Sequence, residues 1–177
     1  GVFLTGFLSA INNVASSSVS REGRMFYLSK IIPVPPRLQV RAKWCHAAIY
    51  TWIVSVLVMG SYAWMGADIA TLGMIGLLGI PLGLLLNSLA ILINSIHPFL
   101  AWETPREAQR SMGSLAILLA HGGMMILCVL LVIGAYLMGL SDLLIQWGLF
   151  VLLLIANGFA FRGMGRVAER RYAAIEI

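Results

Sequence analysis

Along the chain, long apolar runs alternate with short polar interruptions, on a scale that no soluble fold uses. Residues 44–67, 69–102, 111–141 and 143–161 contain no Asp, Glu, Lys or Arg. Each approaches or exceeds the ~20 residues that an α-helix, rising about 1.5 Å per residue, needs to cross a hydrocarbon layer ~30 Å thick. A fifth uncharged stretch, 1–20, turns polar at INNVASSSVS and is expected to cross with its last part already at the interface. The pattern predicts an all-α, polytopic transmembrane bundle of about five crossings forming one membrane domain over 1–177. The stretches 20–43, 97–113 and 162–177 are left as loops and tail.

Composition agrees, with 60% hydrophobic and 11% charged residues where soluble domains carry about 25% charged. The opening stretch lacks the basic front and short apolar core of a secretory signal. It starts without methionine inside an apolar segment, so a longer polypeptide with further helices upstream is expected.

The twelve Lys and Arg fall as six in 21–43, two in 97–113 and four in 162–177, with none in 66–71 or 139–142. Basic residues stay on the cytoplasmic side, so this alternation places 20–43, 97–113 and the C-terminal tail inside, and Asp68 and Asp142 at outer turns. It also favours one pass over two for 69–102, the surplus being taken up by tilt, an interfacial turn or a break near Pro81. Because the basic residues are separated by spans, the net charge of +5 reflects topology and not nucleic-acid binding. In the tail, Arg162, Arg166, Arg170 and Arg171 hold the last helix at an anionic inner leaflet.

Candidate chemistry is sparse. Cys45 and Cys128 have neither disulfide-framework nor metal spacing, and His46, His97 and His121 form no i, i+4 ligand pair, so no metal site is expected. His121 lies deep in a run, where a helix-to-helix hydrogen bond is favoured over a proton or substrate role; Asn12, Asn13, Asn87, Asn94 and Asn157 are read as similar interhelical links. Gly76, Gly79 and Gly83 in GMIGLLGIPLG lie at helical spacing and predict close helix packing. Glu103 and Glu107 can pair with Arg106 and Arg110 at i, i+3 in a solvated loop helix. The only lysines, Lys30 and Lys43, follow Ser29 and Ala42, so no Gly-Lys-Ser/Thr phosphate loop is present and any nucleotide must be bound by another polypeptide. No acidic residue lies deep in an apolar run, against an intramembrane protease.

One loop is more patterned than an anchor requires. In SREGRMFYLSKIIPVPPRLQVRAK, Ser20 stands at an N-cap position, Glu22 in the first turn, and Met25, Leu28 and Ile32 recur at helical spacing before Pro33, Pro35 and Pro36 end the helix. A short amphipathic helix of roughly ten residues is expected at the membrane surface. Gly23 weakens it by about 1 kcal/mol and suggests a close approach.

This stretch closely resembles the Ser-Arg-Glu-Gly-(Lys/Arg) segment of a bacterial group of ATP-binding cassette export permeases of the type-two class. A second block, INSIHPFLAWETPREAQRS, looks like a cytoplasmic loop of the same permeases, with Pro98, Leu100, Trp102, Glu107 and Ala108 at its marked positions. Asn94 departs from the pattern, standing where an aspartate is expected. The resemblance implies a plasma-membrane exporter half whose crossings are the second to sixth of a six-helix unit. It implies that Ser20, Arg21, Glu22, Gly23, Arg24, Phe26, Lys30 and Pro33 form a coupling helix seated on a separate ATPase subunit. That partner would hold ATP and Mg, and a second permease half or a homodimer mate would complete the path. The reading from another class is a non-transporting membrane anchor that recruits a cytoplasmic partner through the same helix.

Overall fold

The computed structural model describes residues 1–11, 13–104, 107 and 112–174. Among them every regular element is helical: α1 Val2–Ala10, α2 Asn13–Ser16, a 3-10 helix Ser20–Met25, α3 Phe26–Ile31, α4 Pro36–Trp64, α5 Ile69–Ile96, α6 Met112–Leu137 and α7 Asp142–Ala174. Four of these, α4 to α7, are long and apolar enough to cross a bilayer. The protein is an all-α, membrane-embedded helical bundle.

The opening stretch forms two short helices. Its apolar part gives α1, and the polar sequence beyond Ala10 gives only the single turn of α2, because Asn and Ser side chains compete with the helical ladder for backbone groups. Asn12 lies outside the described residues. Both short helices lie along α5: Thr5 meets Gly79 and Ser9 meets Gly83, while Ser20 reaches Asn94. The pairs advance together, so the stretch descends parallel to the second half of α5.

α5 is the centre of the bundle, touching α1, α2, α4, α6 and α7. It continues unbroken through Pro81 and ends at Ile96, so the surplus length of its run leaves as loop from His97 onward. Proline removes the donor for the carbonyl of Leu77; one turn on, Asn157 of α7 donates from Nδ2 to the Pro81 carbonyl at 2.8 Å. Similar links tie the neighbours. Asn87 Nδ2 donates to Thr51 Oγ1 of α4 at 2.7 Å, Trp44 Nε1 donates to Ser88 Oγ at 2.8 Å, and His121 Nε2 of α6 pairs with the Leu86 carbonyl at 2.9 Å. Where hydrophobic burial gives no preference for helix over lipid, such bonds and close packing hold helices together.

The glycine stripe is used unevenly. A β-carbon on Gly83 would lie 2.8 Å from Ser9 Oγ and 2.9 Å from Thr51 Cγ2, and one on Gly79 would lie 2.9 Å from Thr5 Cβ. On Gly76 it would only touch Met59, and on Gly73 nothing stands within 4 Å. Gly83→Ala is therefore expected to lower bundle stability by about 1–3 kcal/mol through overpacking, while Gly73→Ala leaves it unchanged or slightly higher. Thermal unfolding of the two variants in the same detergent checks the contrast; equal transitions would refute the seating of α1 and α4 on this stripe.

The two ends of the bundle differ. At one, Gly66 and Gly139 adopt positive φ in the tight turns that join α4 to α5 and α6 to α7. There the Asp68 carboxylate caps α5 by accepting from the Thr71 backbone N–H at 3.3 Å. Hydrogen bonds from Thr71, side chain first and backbone second, hold that carboxyl below the usual range. The opposite end carries the basic residues, and there the two patterned sequence blocks meet.

Candidate functional site

At the basic end the expected single amphipathic helix is two pieces. Ser20–Met25 winds as a 3-10 helix, Gly23 breaks it with φ 51° and ψ −135°, and α3 follows. Ile32 is extended ahead of Pro33, and Pro36 starts α4 in the position where its missing N–H costs nothing.

Ser20 is not the N-cap that its position in the sequence suggests. Asn94, from the last turn of α5, supplies the cap across space: its Oδ1 accepts from the backbone N–H groups of Val19 at 2.8 Å and Ser20 at 3.0 Å. Asn94 Nδ2 donates to Ser20 Oγ at 2.8 Å, and the same hydroxyl oxygen accepts from the Phe99 N–H at 3.0 Å. Trp102 Nε1 donates to the Ser20 carbonyl at 2.6 Å. Ser20 is fully buried and Asn94 is 1% exposed. Every polar atom of Ser20 is thus engaged by α5 or by the loop after it, which is how two distant sequence blocks become one site.

Gly23 answers for its own presence. Its backbone lies in a region closed to other residues, and the Trp102 ring covers it so closely that a β-carbon would stand 2.9 Å from Cε2 and Cζ2.

The other flank is fastened by charge. Glu22 accepts from Ser29 Oγ at 2.6 Å and forms an ion pair with Lys43 of α4, whose Nζ also donates to Tyr172 Oη at 3.3 Å. Phe26 sits edge-on to the Tyr172 ring, centroids 4.9 Å apart, in one buried cluster with Val40, Met164, Ala168 and Tyr172. The far end of α7 is thereby packed beneath the loop. Arg37 and Glu169, 3.4 Å apart, add an exposed pair between α4 and α7.

The residues marked by the resemblance therefore divide. Ser20, Gly23 and Phe26 are buried, Glu22 is half-buried, and all four serve to hold the loop; Arg21, Arg24, Lys30 and Pro33 are exposed. The apolar stripe expected from helical spacing faces outward, with Met25 61%, Leu28 44% and Ile32 50% exposed, and Ile31 joins it at 71%. In the second block Pro98, Leu100 and Trp102 are half-buried, and Leu100 packs on the Phe26 cluster. Glu107 stands apart and exposed, accepting from the Glu103 N–H and Thr104 Oγ1 at 3.0 Å each. Those bonds, the backbone one first, hold its carboxyl below the usual range. Arg106, Ala108 and Arg110 lie outside the described residues.

Sequence reasoning missed the roles of Asn94, Lys43 and Tyr172. Tyr172 carried a signal: Met164, Ala168 and Tyr172, four apart, are all buried and alternate with Arg162, Arg166 and Arg170 on the exposed face. Among the described residues no cluster of three His, Cys, Asp or Glu is arranged to hold a metal. What the arrangement offers is mechanical, a braced loop presenting cations and apolar side chains on its outer face. Comparison of the chain with protein-family models, with curated proteins and with solved structures finds no match in any of the three.

Proposed function

We propose that the chain is the membrane subunit of an ATP-driven exporter, and that the 20–32 loop is the surface through which a separate ATPase subunit moves the spans. The observation that supports this is the bracing of the loop. Its inward side is tied to the end of α5 by Asn94, to the following loop by Trp102, to α4 by Lys43 and to α7 by Tyr172. A push on the outer face would pass to three spans without being lost in a flexible tether. That face combines Arg21 and Arg24 with Met25, Leu28 and Ile31, a mixture of cation and exposed apolar side chain that suits a protein partner. The basic residues at this end favour the cytoplasmic side for it, where ATP and Mg would be bound by the partner. α6 and α7 leave most of their surface outside the bundle, available to lipid and to a second membrane half.

Photo-crosslinkers placed singly at Met25, Leu28 and Phe26 in living cells test the reading. Capture of a protein with a phosphate loop from Met25 and Leu28, changed by trapping its nucleotide state, and not from buried Phe26, is the expected result. A captured partner without a phosphate loop would favour the anchor role, and labelling of a cysteine at Arg21 by a membrane-impermeant reagent from outside intact cells would end both.

A further inference from the structure

A groove of about 310 Å³ opens between α4, α5 and α7, lined by Trp44, Pro81, Leu84, Leu154, Gly158 and Phe161. It lies where the apolar runs of two spans end at the basic end: Trp44 directly follows Lys43, and Phe161 directly precedes Arg162. This is the depth at which hydrocarbon gives way to headgroups, and aromatic rings favour that boundary.

Among the described residues, the rim of the groove carries cations with no carboxylate beside them. α4 has three cations close together, of which Arg37 pairs with Glu169 and Lys43 with Glu22. Arg41, between them, has no carboxylate partner among the described residues. Its guanidinium carbon lies 5.0 Å over the ring of Phe161, the residue closing the groove at that end, and its Nε is sealed from solvent with no acceptor. Arg162, next to Phe161, is exposed. Trp44 is held in place edge-on to Phe161, centroids 5.1 Å apart, with its Nε1 on Ser88.

We propose that this groove binds one anionic phospholipid from the adjoining leaflet. An acyl chain lies along Trp44, Leu84 and Leu154, and the phosphate sits against the Arg41 guanidinium with Arg162 beside it. An apolar slot open to the bilayer selects an amphiphile over a soluble anion. Two cations with no carboxylate partner among the described residues favour a headgroup with net negative charge over a zwitterion that brings its own cation. The assignment does not depend on the transport reading.

Native mass spectrometry of the intact chain released from micelles, after titration with phosphatidylglycerol or phosphatidylcholine, tests it. Phosphatidylglycerol is expected to be retained at least ~5-fold more strongly, as befits charge-assisted bonds to the phosphate. Arg41→Gln removes the preference by removing the cation. Gly158→Leu removes it by filling the slot, at a position where an added β-carbon meets nothing within 4 Å. Equal retention of the two lipids, retention of neither, or a preference that survives either substitution overturns the site.

Discussion

Asn94→Ala is expected to loosen the loop from α5 by about 3 kcal/mol, because two buried backbone donors lose at once the acceptor they share among the described residues. The Val19 and Ser20 N–H groups both point at Asn94 Oδ1, and both residues are fully buried. An unsatisfied buried donor costs roughly 1–3 kcal/mol, far more than the net worth of an ordinary hydrogen bond. Amide exchange at these two positions reads the loss directly: about 3 kcal/mol corresponds to opening more than a hundredfold as often. Asn94→Asp keeps both acceptor contacts, and the Ser20 hydroxyl is able to turn and donate to the carboxylate. Three donors offset much of the cost of burying that charge, so the aspartate variant is expected to keep most of the protection at neutral pH. Unchanged exchange in the alanine variant, or equal losses in both, would remove Asn94 from its capping role.

Gly23→Ala is the second large effect, and two independent penalties meet in it. The backbone at φ 51°, ψ −135° is strained for any residue with a β-carbon, by about 1–3 kcal/mol. The added methyl would also stand 2.9 Å from a Trp102 ring that cannot swing aside without breaking its bond to the Ser20 carbonyl. A loss of about 2–4 kcal/mol is therefore expected, confined to the loop. Faster tryptic cleavage at Arg21 and Arg24, with a shifted Trp102 emission, would report it. Gly60→Ala, where nothing stands within 4 Å of the new methyl, serves as the control. Cleavage at the same rate in both variants would refute the fit of Trp102 over Gly23.

The spans were legible because lipid leaves few options. A long uncharged run in lipid favours a helix, and α5 and α6 lie within their runs. By contrast, α4 starts eight residues before its run, at Pro36, and α7 continues thirteen residues past its own, to Ala174, so parts of the segments read as loop and tail are helical. The close-packed glycines were legible for a similar reason, and the structure separates Gly79 and Gly83, which meet α1 and α4, from Gly73, which meets nothing. In the stretch 1–20 the turn to polar sequence at INNVASSSVS marked where α1 ends, because Asn and Ser side chains interrupt the helical ladder. Within the loop, periodicity found the apolar stripe but not its direction. Met25, Leu28 and Ile32 were legible as one face, yet nothing local told that Phe26, off that stripe, would be the buried residue. Its burial depends on Tyr172, which is distant in sequence. Asn94 was read as an interhelical link and as a departure from an expected aspartate; that it caps a helix belonging to another part of the chain is a matter of tertiary geometry.

The packing of Tyr172 beneath Phe26 also sets an order of events during synthesis. The loop is translated early, before four of the helices that follow it, while its latch belongs to the last span. Until α7 has been made and inserted, Glu22 and Phe26 lack part of their final surroundings, and the loop is held from the α4 and α5 sides alone. A nascent or prematurely terminated chain would thus display an unlatched loop, a visible mark by which unfinished copies differ from finished ones.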